Sequence, residues 1–203
     1  MTPSPRFPLF RAIFVAVAAV SLASCGLNSI PTAEENAKAR WADVQAAYQR
    51  RADTIPNVVA SVKGSAASEG KILTDVINAR ANATRVQVNA TDLTDPAKVA
   101  SFQAAQNQLG SSLGRLLATV EAYPDLKSQE NFRSLITEIE GSNNRITIAI
   151  RDYNTAVQAY NTRIRTFPDA VGAKIFYGAK PMVPFQAQPG AETNPTVDFG
   201  NTN

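Results

Sequence analysis

Residues 130–167 read ENFRSLITEIEGSNNRITIAIRDYNTAVQAYNTRIRTF and carry the most regular pattern in the chain. Large apolar side chains recur at steps of three and four, which places them on one face of an α-helix. The repeat lasts about five heptads, a length typical of coiled-coil-like packing. This stripe consists of Phe132, Leu135, Ile139, Asn143, Ile146, Ile150, Tyr153, Val157, Tyr160, Ile164 and Phe167, of which only Asn143 is polar.

Three earlier segments show the same spacing and predict three more helices. Pro56 is expected to end or kink the first, because its ring lacks an N–H and clashes with the preceding turn. Asp95-Pro96 is typical of a helix start, with an acidic N-cap before a proline in the first turn. The expected bounds are 32–56, 56–90 and 95–123.

Together these segments predict an all-α fold, an antiparallel four-helix bundle with long coiled-coil-like helices over residues 32–167. Aromatic side chains on the stripes are expected in its core: Trp41, Tyr48, Phe102, Tyr123, Phe132, Tyr153 and Tyr160. Residues 168–203 form a tail rich in proline and glycine. Because this tail also holds large apolar side chains, we expect 171–185 to pack on the bundle and the chain beyond Pro189 to be flexible.

The first 24 residues are predicted to be a lipoprotein signal peptide. Arg6 and Arg11 precede an uncharged, mostly apolar run at residues 12–23. At about 1.5 Å per residue this run spans roughly 18 Å, which is too short for a bilayer core of about 30 Å. A short apolar run after a basic stretch is typical of an export signal, and a non-cleaved membrane anchor is the alternative.

The end of this run resembles the lipobox of bacterial lipoproteins, and Cys25 is the only cysteine in the chain. The resemblance implies that the thiol of Cys25 receives a diacylglyceryl group, with residues 25–31 as the tether. It implies a cell-envelope protein held by lipid and facing the periplasm. Gly26 is not the Asp that retains lipoproteins on the inner membrane, so the outer membrane is favoured. The expected processing residues are Leu22, Ala23 and Ser24.

Composition excludes much catalytic chemistry. The chain has no His and one Cys, which rules out imidazole bases, imidazole ligands and multi-cysteine metal sites. Loss of Arg6 and Arg11 with the signal leaves a side-chain charge of 18 − 17 = +1, which does not favour nucleic-acid binding. The SxxK spacing at residues 68–71 lacks its partner motifs and is attributed to chance. We therefore expect no enzyme activity, no metal and no cofactor.

Several motifs, in order, resemble those of the LemA family. Residues 50–59 (RRADTIPNVV) are similar to the family's RRxDLIPNLV, with Thr54 in place of the usual Leu. Residues 121–127 (EAYPDLK) resemble its EAYPDLK turn, and Tyr153-Asn154 with Tyr160-Asn161 resemble its paired YN motifs. The resemblance spans roughly 33–199. It implies a helical bundle tethered to a membrane and implies no reaction.

Two of these motifs are candidate helix corners or docking sites. Charged residues at the ends of neighbouring helices suit the helix dipoles, which favours a structural role at the corners. The alternative is that the corners and the tail gather at one end of the bundle and form a docking surface. The candidate residues are Arg50, Arg51, Asp53, Pro56 and Asn57 at the first corner, and Tyr123, Pro124 and Asp125 at the next.

The expected function is that of a non-catalytic adaptor or structural component of the envelope, with an envelope protein as partner. The alternative is a carrier, in which the glycine-containing second helix and the aromatic stripe hold a lipid or another apolar ligand. A homo-oligomer is expected if the stripe of residues 130–167 exceeds what three neighbouring helices cover.

Overall fold

A computed structural model describes residues 28–65 and 70–186, which contain helices, turns and irregular segments but no strand. The all-α class expected from the sequence is confirmed. The predicted signal peptide, Cys25 with its processing residues Leu22, Ala23 and Ser24, and the tail from 187 to 203 lie outside the described residues. The four long helices are α1 (Ser29–Ser65), α2 (Gly70–Arg85), α3 (Pro96–Val120) and α5 (Glu130–Arg163). The short elements are a 3-10 turn (Ala90–Thr94), α4 (Pro124–Ser128), α6 (Asp169–Gly172) and a π-helical turn (Ala173–Tyr177).

The two longest helices, α1 and α5, pack along each other. The hydroxyl of Ser29 donates to the Asp169 carboxylate just beyond the end of α5, at 2.7 Å. The ring of Trp41 lies 5.3 Å from that of Tyr153, between centroids. Further along α1, the Thr54 hydroxyl donates to Glu138 at 3.2 Å. Residue numbers therefore rise along α1 as those of its contacts in α5 fall.

Buried apolar side chains form two clusters. The Trp41 cluster joins α1, α3 and α5 to the tail and comprises chiefly Ile30, Trp41, Val44, Tyr48, Val88, Leu93, Val99, Phe102, Ile146, Tyr153, Val157, Tyr160, Met182 and Phe185. The Leu109 cluster draws on all four long helices and comprises Ile55, Val58, Val62, Leu73, Val76, Ala79, Ala83, Leu109, Leu113, Leu116, Val120, Phe132 and Ile139. Of the seven aromatic residues predicted for the core, six are buried and Tyr123 is half-buried.

The start of the third helix confirms the sequence prediction. The carboxylate of Asp95 accepts hydrogen bonds from the backbone N–H groups of Ala97 (2.9 Å) and Lys98 (3.4 Å). Pro96 occupies the first helical position, where the missing N–H has no partner to lose. The acid and the proline together fix where α3 begins.

The predicted end of the first helix at Pro56 is wrong, because α1 continues through this proline. A proline inside a helix has no N–H, so the carbonyl of Ala52, four residues earlier, loses its usual partner. Arg80 of α2 supplies a replacement, since its Nε donates to the Ala52 carbonyl oxygen at 2.7 Å. Burial of Ile55 and Val58 beside the proline further offsets its cost, which is about 3 kcal/mol in a helix interior.

The predicted stripe on α5 is wrong at two positions. Asn143 is exposed, and Ser142 takes the inward position, where its hydroxyl donates to the Ile139 carbonyl at 2.7 Å. A serine that bonds to its own helix needs no partner elsewhere in the core. Phe167 lies beyond the end of α5 and is 85% exposed.

No helix within residues 28–65 and 70–186 has both the length and the apolar character needed to cross a bilayer.

The pairing of Pro56 with Arg80 predicts a coupled effect on stability. Arg80→Met leaves the Ala52 carbonyl without a donor and is expected to lower the free energy of unfolding by about 1–3 kcal/mol. Pro56→Ala restores an N–H at position 56, so Arg80→Met should cost about 1 kcal/mol less in that background. Urea unfolding of the four proteins measures both values. An equal cost in the two backgrounds would contradict the pairing.

Candidate functional site

The motif at residues 50–57 lies in the middle of α1 and not at a corner. The corner predicted at Arg50, Arg51, Asp53, Pro56 and Asn57 is therefore wrong, because α1 does not end there. Its side chains divide between two faces of the helix. Arg51, Thr54 and Ile55 are buried, whereas Arg50, Asp53, Pro56 and Asn57 are exposed. Steps of three and four place Arg50, Asp53 and Asn57 on one outward face.

The outward side of this motif borders a polar groove of about 400 Å³ between α1 and α5, lined by Ala46, Gln49, Arg50, Asp53, Thr54, Asn57 and Glu138. The amide of Gln49 donates to Asp53 at 2.7 Å, and the Thr54 hydroxyl bonds Glu138 across the two helices. The groove thus offers one cation, two carboxylates and two side-chain amides. Such a mixture suits a polar protein surface better than an apolar ligand.

The inward side of the motif holds a buried cation. Arg51 is 6% exposed, and its Nη2 donates both to the backbone oxygen of Gln106 (3.1 Å) and to its side-chain oxygen (3.0 Å). The Gln106 amide in turn donates to the Ala83 carbonyl at 3.2 Å. This chain of bonds joins α1, α3 and α2. It also explains Gln106, the polar residue that interrupts the apolar stripe of α3.

No carboxylate within the described part of the chain forms an ion pair with Arg51. Burial lowers the pKa of this guanidinium from its usual value. The Tyr48 ring, whose centroid is 5.1 Å from the guanidinium carbon, gives it partial compensation through a cation–π contact. The Nε of Arg51 is buried without a hydrogen-bond partner. Burying a charge without an ion partner costs folding free energy. What the Arg51 guanidinium contributes in return is the chain of hydrogen bonds that orients α1, α2 and α3.

The second motif forms a corner, as predicted. Tyr123 and the two residues before it connect α3 to α4, and Pro124 with Asp125 opens α4. Tyr123 packs on the Leu109 cluster, whereas the tail packs in the Trp41 cluster. The alternative, in which both corners and the tail gather at one end of the bundle, is therefore wrong for the described part of the tail.

The tail is held by two asparagines of α5. Asn154 donates to the Phe185 carbonyl (3.0 Å) and accepts from the Phe185 N–H (2.8 Å). Asn161 bonds Met182 in the same two-way manner, at 2.8 Å in each direction. Seven helical residues rise about 10.5 Å, and three extended residues span about 10 Å. The spacing of the asparagines therefore matches residues 182–185 only when that stretch is nearly extended.

The neighbouring tyrosines add to the same clamp. The Tyr153 hydroxyl donates to the Val183 carbonyl at 2.8 Å, and that of Tyr160 to the Lys180 carbonyl at 3.1 Å. Each YN pair thus supplies a phenol and an amide to the tail. The tail also reaches the 3-10 turn, where the N–H of Val183 donates to the Leu93 carbonyl at 2.8 Å.

The clamp places Phe185 inside the Trp41 cluster. Its ring lies 5.6 Å from Trp41, 5.9 Å from Tyr153 and 6.3 Å from Phe102, between centroids. A side chain from the tail thereby fills the space between α1, α3 and α5. The predicted packing of residues 171–185 is confirmed for Met182 and Phe185, while the large apolar side chains of 171–177 remain exposed.

Three residues that shape these sites were missed as site residues from the sequence: Arg80, Asn154 and Asn161. The seven-residue repeat of the YN motif was the signal for the asparagines, because it places both on one face of α5. Within the described ranges, no group of three or more Cys, Asp or Glu side chains is placed to hold a metal ion.

Comparison with known proteins identifies the family. Residues 40–199 match the model of the LemA family. The chain belongs to the LemA family. "Protein LemA" of Metamycoplasma hominis is 30% identical over 124 residues, which are 61% of this chain and 52% of that protein.

Two magnetosome proteins are also similar to this LemA family chain. "Magnetosome protein MamQ 2" of Paramagnetospirillum magneticum is 35% identical over 89 residues, which are 44% of this chain and 32% of that protein. "Magnetosome protein MamQ" of Magnetospirillum gryphiswaldense is 24% identical over 182 residues, 82% of this chain and 66% of that protein. The similarity therefore spans from about a third to about two thirds of the relatives' own length.

The position of Phe185 predicts a large loss of stability on truncation. Phe185→Ala removes a ring from a packed core and is expected to cost about 3–5 kcal/mol. Phe176→Ala removes the same side chain from a site that is 69% exposed, and should change stability by less than about 0.5 kcal/mol. Urea unfolding of both variants compares them directly. Similar losses would show that the tail is not part of the core.

The buried tyrosines predict a loss of stability at alkaline pH. Burial raises the pKa of the phenols of Tyr153, Tyr48 and Tyr160. In the unfolded chain a phenol ionises near pH 10, while the folded protein retains the proton. The contribution of these tyrosines to the free energy of unfolding should therefore not change with pH below about pH 10. Above about pH 10, ionisation of Tyr153 in the unfolded chain should by itself lower the free energy of unfolding by up to about 1.4 kcal/mol per pH unit.

Tyr153→Phe serves as the control for this pH effect. The variant loses the hydrogen bond to the Val183 carbonyl, so it should be about 1 kcal/mol less stable at pH 8. Its decline above pH 10 should nevertheless be shallower than that of the parent, because one ionisable group is gone. Urea unfolding between pH 8 and 11.5 tests this. Parallel declines would show that Tyr153 ionises as freely when folded as when unfolded.

Proposed function

We propose that this LemA family chain is a membrane-tethered lipoprotein of the cell envelope and acts as a non-catalytic adaptor. The outward side of the motif at 50–57 carries the proposal. Arg50, Asp53 and Asn57 are exposed on one face of α1, while their neighbours Arg51 and Thr54 are buried. The buried residues Arg51 and Thr54 make hydrogen bonds between helices, and these account for their presence in the motif. The exposed members have no such role in the core, which supports contact with an envelope protein.

The anchor in this proposal is a lipid on Cys25, attached after removal of residues 1–24 by cleavage behind Leu22-Ala23-Ser24. The folded part is proposed to be an antiparallel bundle of α1, α2, α3 and α5, facing the periplasm. The outer membrane is favoured over the inner, because Gly26 follows the cysteine. Two or three acyl chains give stable anchoring, whereas one gives only marginal binding. Membrane association also agrees with the similarity to MamQ proteins, which are named magnetosome proteins.

The alternative, an apolar-ligand carrier, receives little support from the core. Four of the aromatic side chains that suggested it pack on one another or on Phe185, with ring centroids 5.3–6.5 Å apart: Trp41, Tyr48, Phe102 and Tyr153. The groove beside Tyr48 and Phe102 is lined mainly by glutamine and alanine. We therefore propose the adaptor.

Photo-crosslinking in living cells tests the adaptor. A photoreactive residue at Asn57 reports on the polar groove. A matched probe at Ile148, which is exposed on α5 and lies ten residues beyond Glu138, serves as the control. We expect one protein to be trapped repeatedly at Asn57 and not at Ile148. Equal trapping at the two positions, or none at Asn57, would contradict the adaptor.

Intact-mass measurement of the protein purified from envelopes tests the anchor separately. The expected mass is that of residues 25–203 plus a diacylglyceryl group, with or without a third acyl chain. Cys25→Ser should lack this added mass. An unmodified N-terminal Cys25, or retention of residues 1–24 in the purified protein, would contradict the lipoprotein proposal.

A further inference from the structure

Residues 167–177 expose an unusual number of large apolar side chains. Phe167 is 85% exposed, Phe176 69% and Ile175 68%, and Val171 and Tyr177 are also exposed. Phe167 lies in the turn before α6, Val171 lies in α6, and the other three lie in the π-helical turn that follows. Single exposed apolar side chains are ordinary, but a contiguous group marks a contact surface. We call this group, residues 167–177, the apolar end patch.

The apolar end patch lies beside the point where the chain enters α1. The Ser29 hydroxyl donates to the Asp169 carboxylate at 2.7 Å, and Arg163 pairs with the same carboxylate at 3.6 Å. Ile30 is buried with Ala173 in the Trp41 cluster. The first turn of α1 and the short helix α6 therefore form one end of the folded part.

This end is also the one nearest to the proposed anchor. Ser29 comes four residues after Cys25, and a chain of four extended residues spans at most about 14 Å. A lipid on Cys25, as proposed above, would therefore be attached within about that distance of Ser29, whose hydroxyl contacts Asp169 in the patch.

The segment that carries the patch has an excess of basic residues, which suits an anionic membrane surface. Arg163, Arg165, Lys174 and Lys180 are exposed, while Asp169 is the one acid in residues 163–180. A net charge of 4 − 1 = +3 attracts anionic headgroups. Long basic side chains can also keep their charges at the headgroups while aromatic rings enter the interface. The three most exposed apolar side chains would gain little from contact with a polar protein surface.

We propose that the apolar end patch rests in the headgroup region of the membrane to which the chain is anchored, with Phe167, Ile175 and Phe176 as the inserted side chains. The proposal rests on the lipid anchor of the preceding section and adds an orientation to it. With both the tether and the patch on the lipid, the long axes of α1 and α5 point away from the bilayer. The groove at Arg50 and Asn57 is then held clear of the surface.

Quenching of tryptophan by brominated lipid tests the orientation. The mature lipidated protein, residues 25–203, is reconstituted into vesicles of phosphatidylcholine and phosphatidylglycerol containing dibrominated phosphatidylcholine. Phe176→Trp places the probe in the patch. Ile148→Trp is the matched control, being 51% exposed on α5 and outside the patch. The native Trp41 is buried and common to both variants, so it contributes a constant background.

We expect the Phe176→Trp protein to be quenched at least twofold more than the Ile148→Trp protein, with emission shifted to the blue. Adding Lys174→Glu to Phe176→Trp should reduce the quenching in anionic vesicles. Vesicle flotation separates the possible failures. Protein that floats with equal quenching in both variants overturns the orientation and leaves the anchor standing. Protein that does not float overturns both, because neither lipid nor patch then holds it.

A second copy of the chain is the competing occupant of the patch. If the Phe176→Trp probe is unquenched by brominated lipid and also shielded from iodide, a protein surface covers it, and the membrane contact is overturned. Accessibility to iodide in detergent with shielding on vesicles supports the membrane contact.

Discussion

Phe185 fills the space between three long helices, and much of the Trp41 cluster depends on it. Its ring contacts Trp41 of α1, Phe102 of α3 and Tyr153 of α5. Aromatic rings bury large areas and stabilise one another beyond that burial, so losing one leaves a cavity that side chains cannot close. Phe185 comes from a segment without regular structure. The hydrogen bonds of Asn154 and Asn161 to the backbone of that segment hold the ring in place. The helices and the tail therefore stabilise each other.

A second constraint is the satisfaction of polar groups inside the fold. Pro56 frees a carbonyl in the middle of α1, and Arg80 of α2 bonds it. Arg51, buried without a carboxylate partner among the described residues, is held by Gln106 of α3 and the ring of Tyr48. Both arginine side chains form hydrogen bonds to a neighbouring helix, so each fixes one helix relative to another. Apolar packing alone tolerates small shifts of one helix along another, whereas hydrogen bonds with a required distance and angle do not.

The division of one motif between two faces separates structure from function. Its buried members build the junction of α1, α2 and α3, and its exposed members border the polar groove. The N-terminal end of α1 meets the apolar end patch, beside the proposed anchor. A lipid contact at one end and a polar groove farther along α1 would let the protein face the membrane and a partner at once.

The helices of this fold could be predicted from the sequence, and so could most of the core. Spacings of three and four placed Trp41, Tyr48, Phe102 and Tyr153 inward, and Asp95-Pro96 marked the start of α3, because these effects act within a turn or two of one helix. The continuation of α1 through Pro56 could not be predicted, since the donor that makes it tolerable is 24 residues away in another helix. The exposure of Asn143 and the bonds of Asn154 and Asn161 depended likewise on side chains from elsewhere.

The sequence by itself determined the all-α class, the stripes of the long helices, the family resemblance and the lipobox-like segment around Cys25, because each rests on local pattern. Tertiary structure alone decided which side of the motif at 50–57 faces outward, and where the tail lies. It also decided that the apolar side chains of 167–177 stay exposed while Phe185 is buried. Those outcomes depend on which surfaces remain free once distant helices have packed, and local spacing does not encode that.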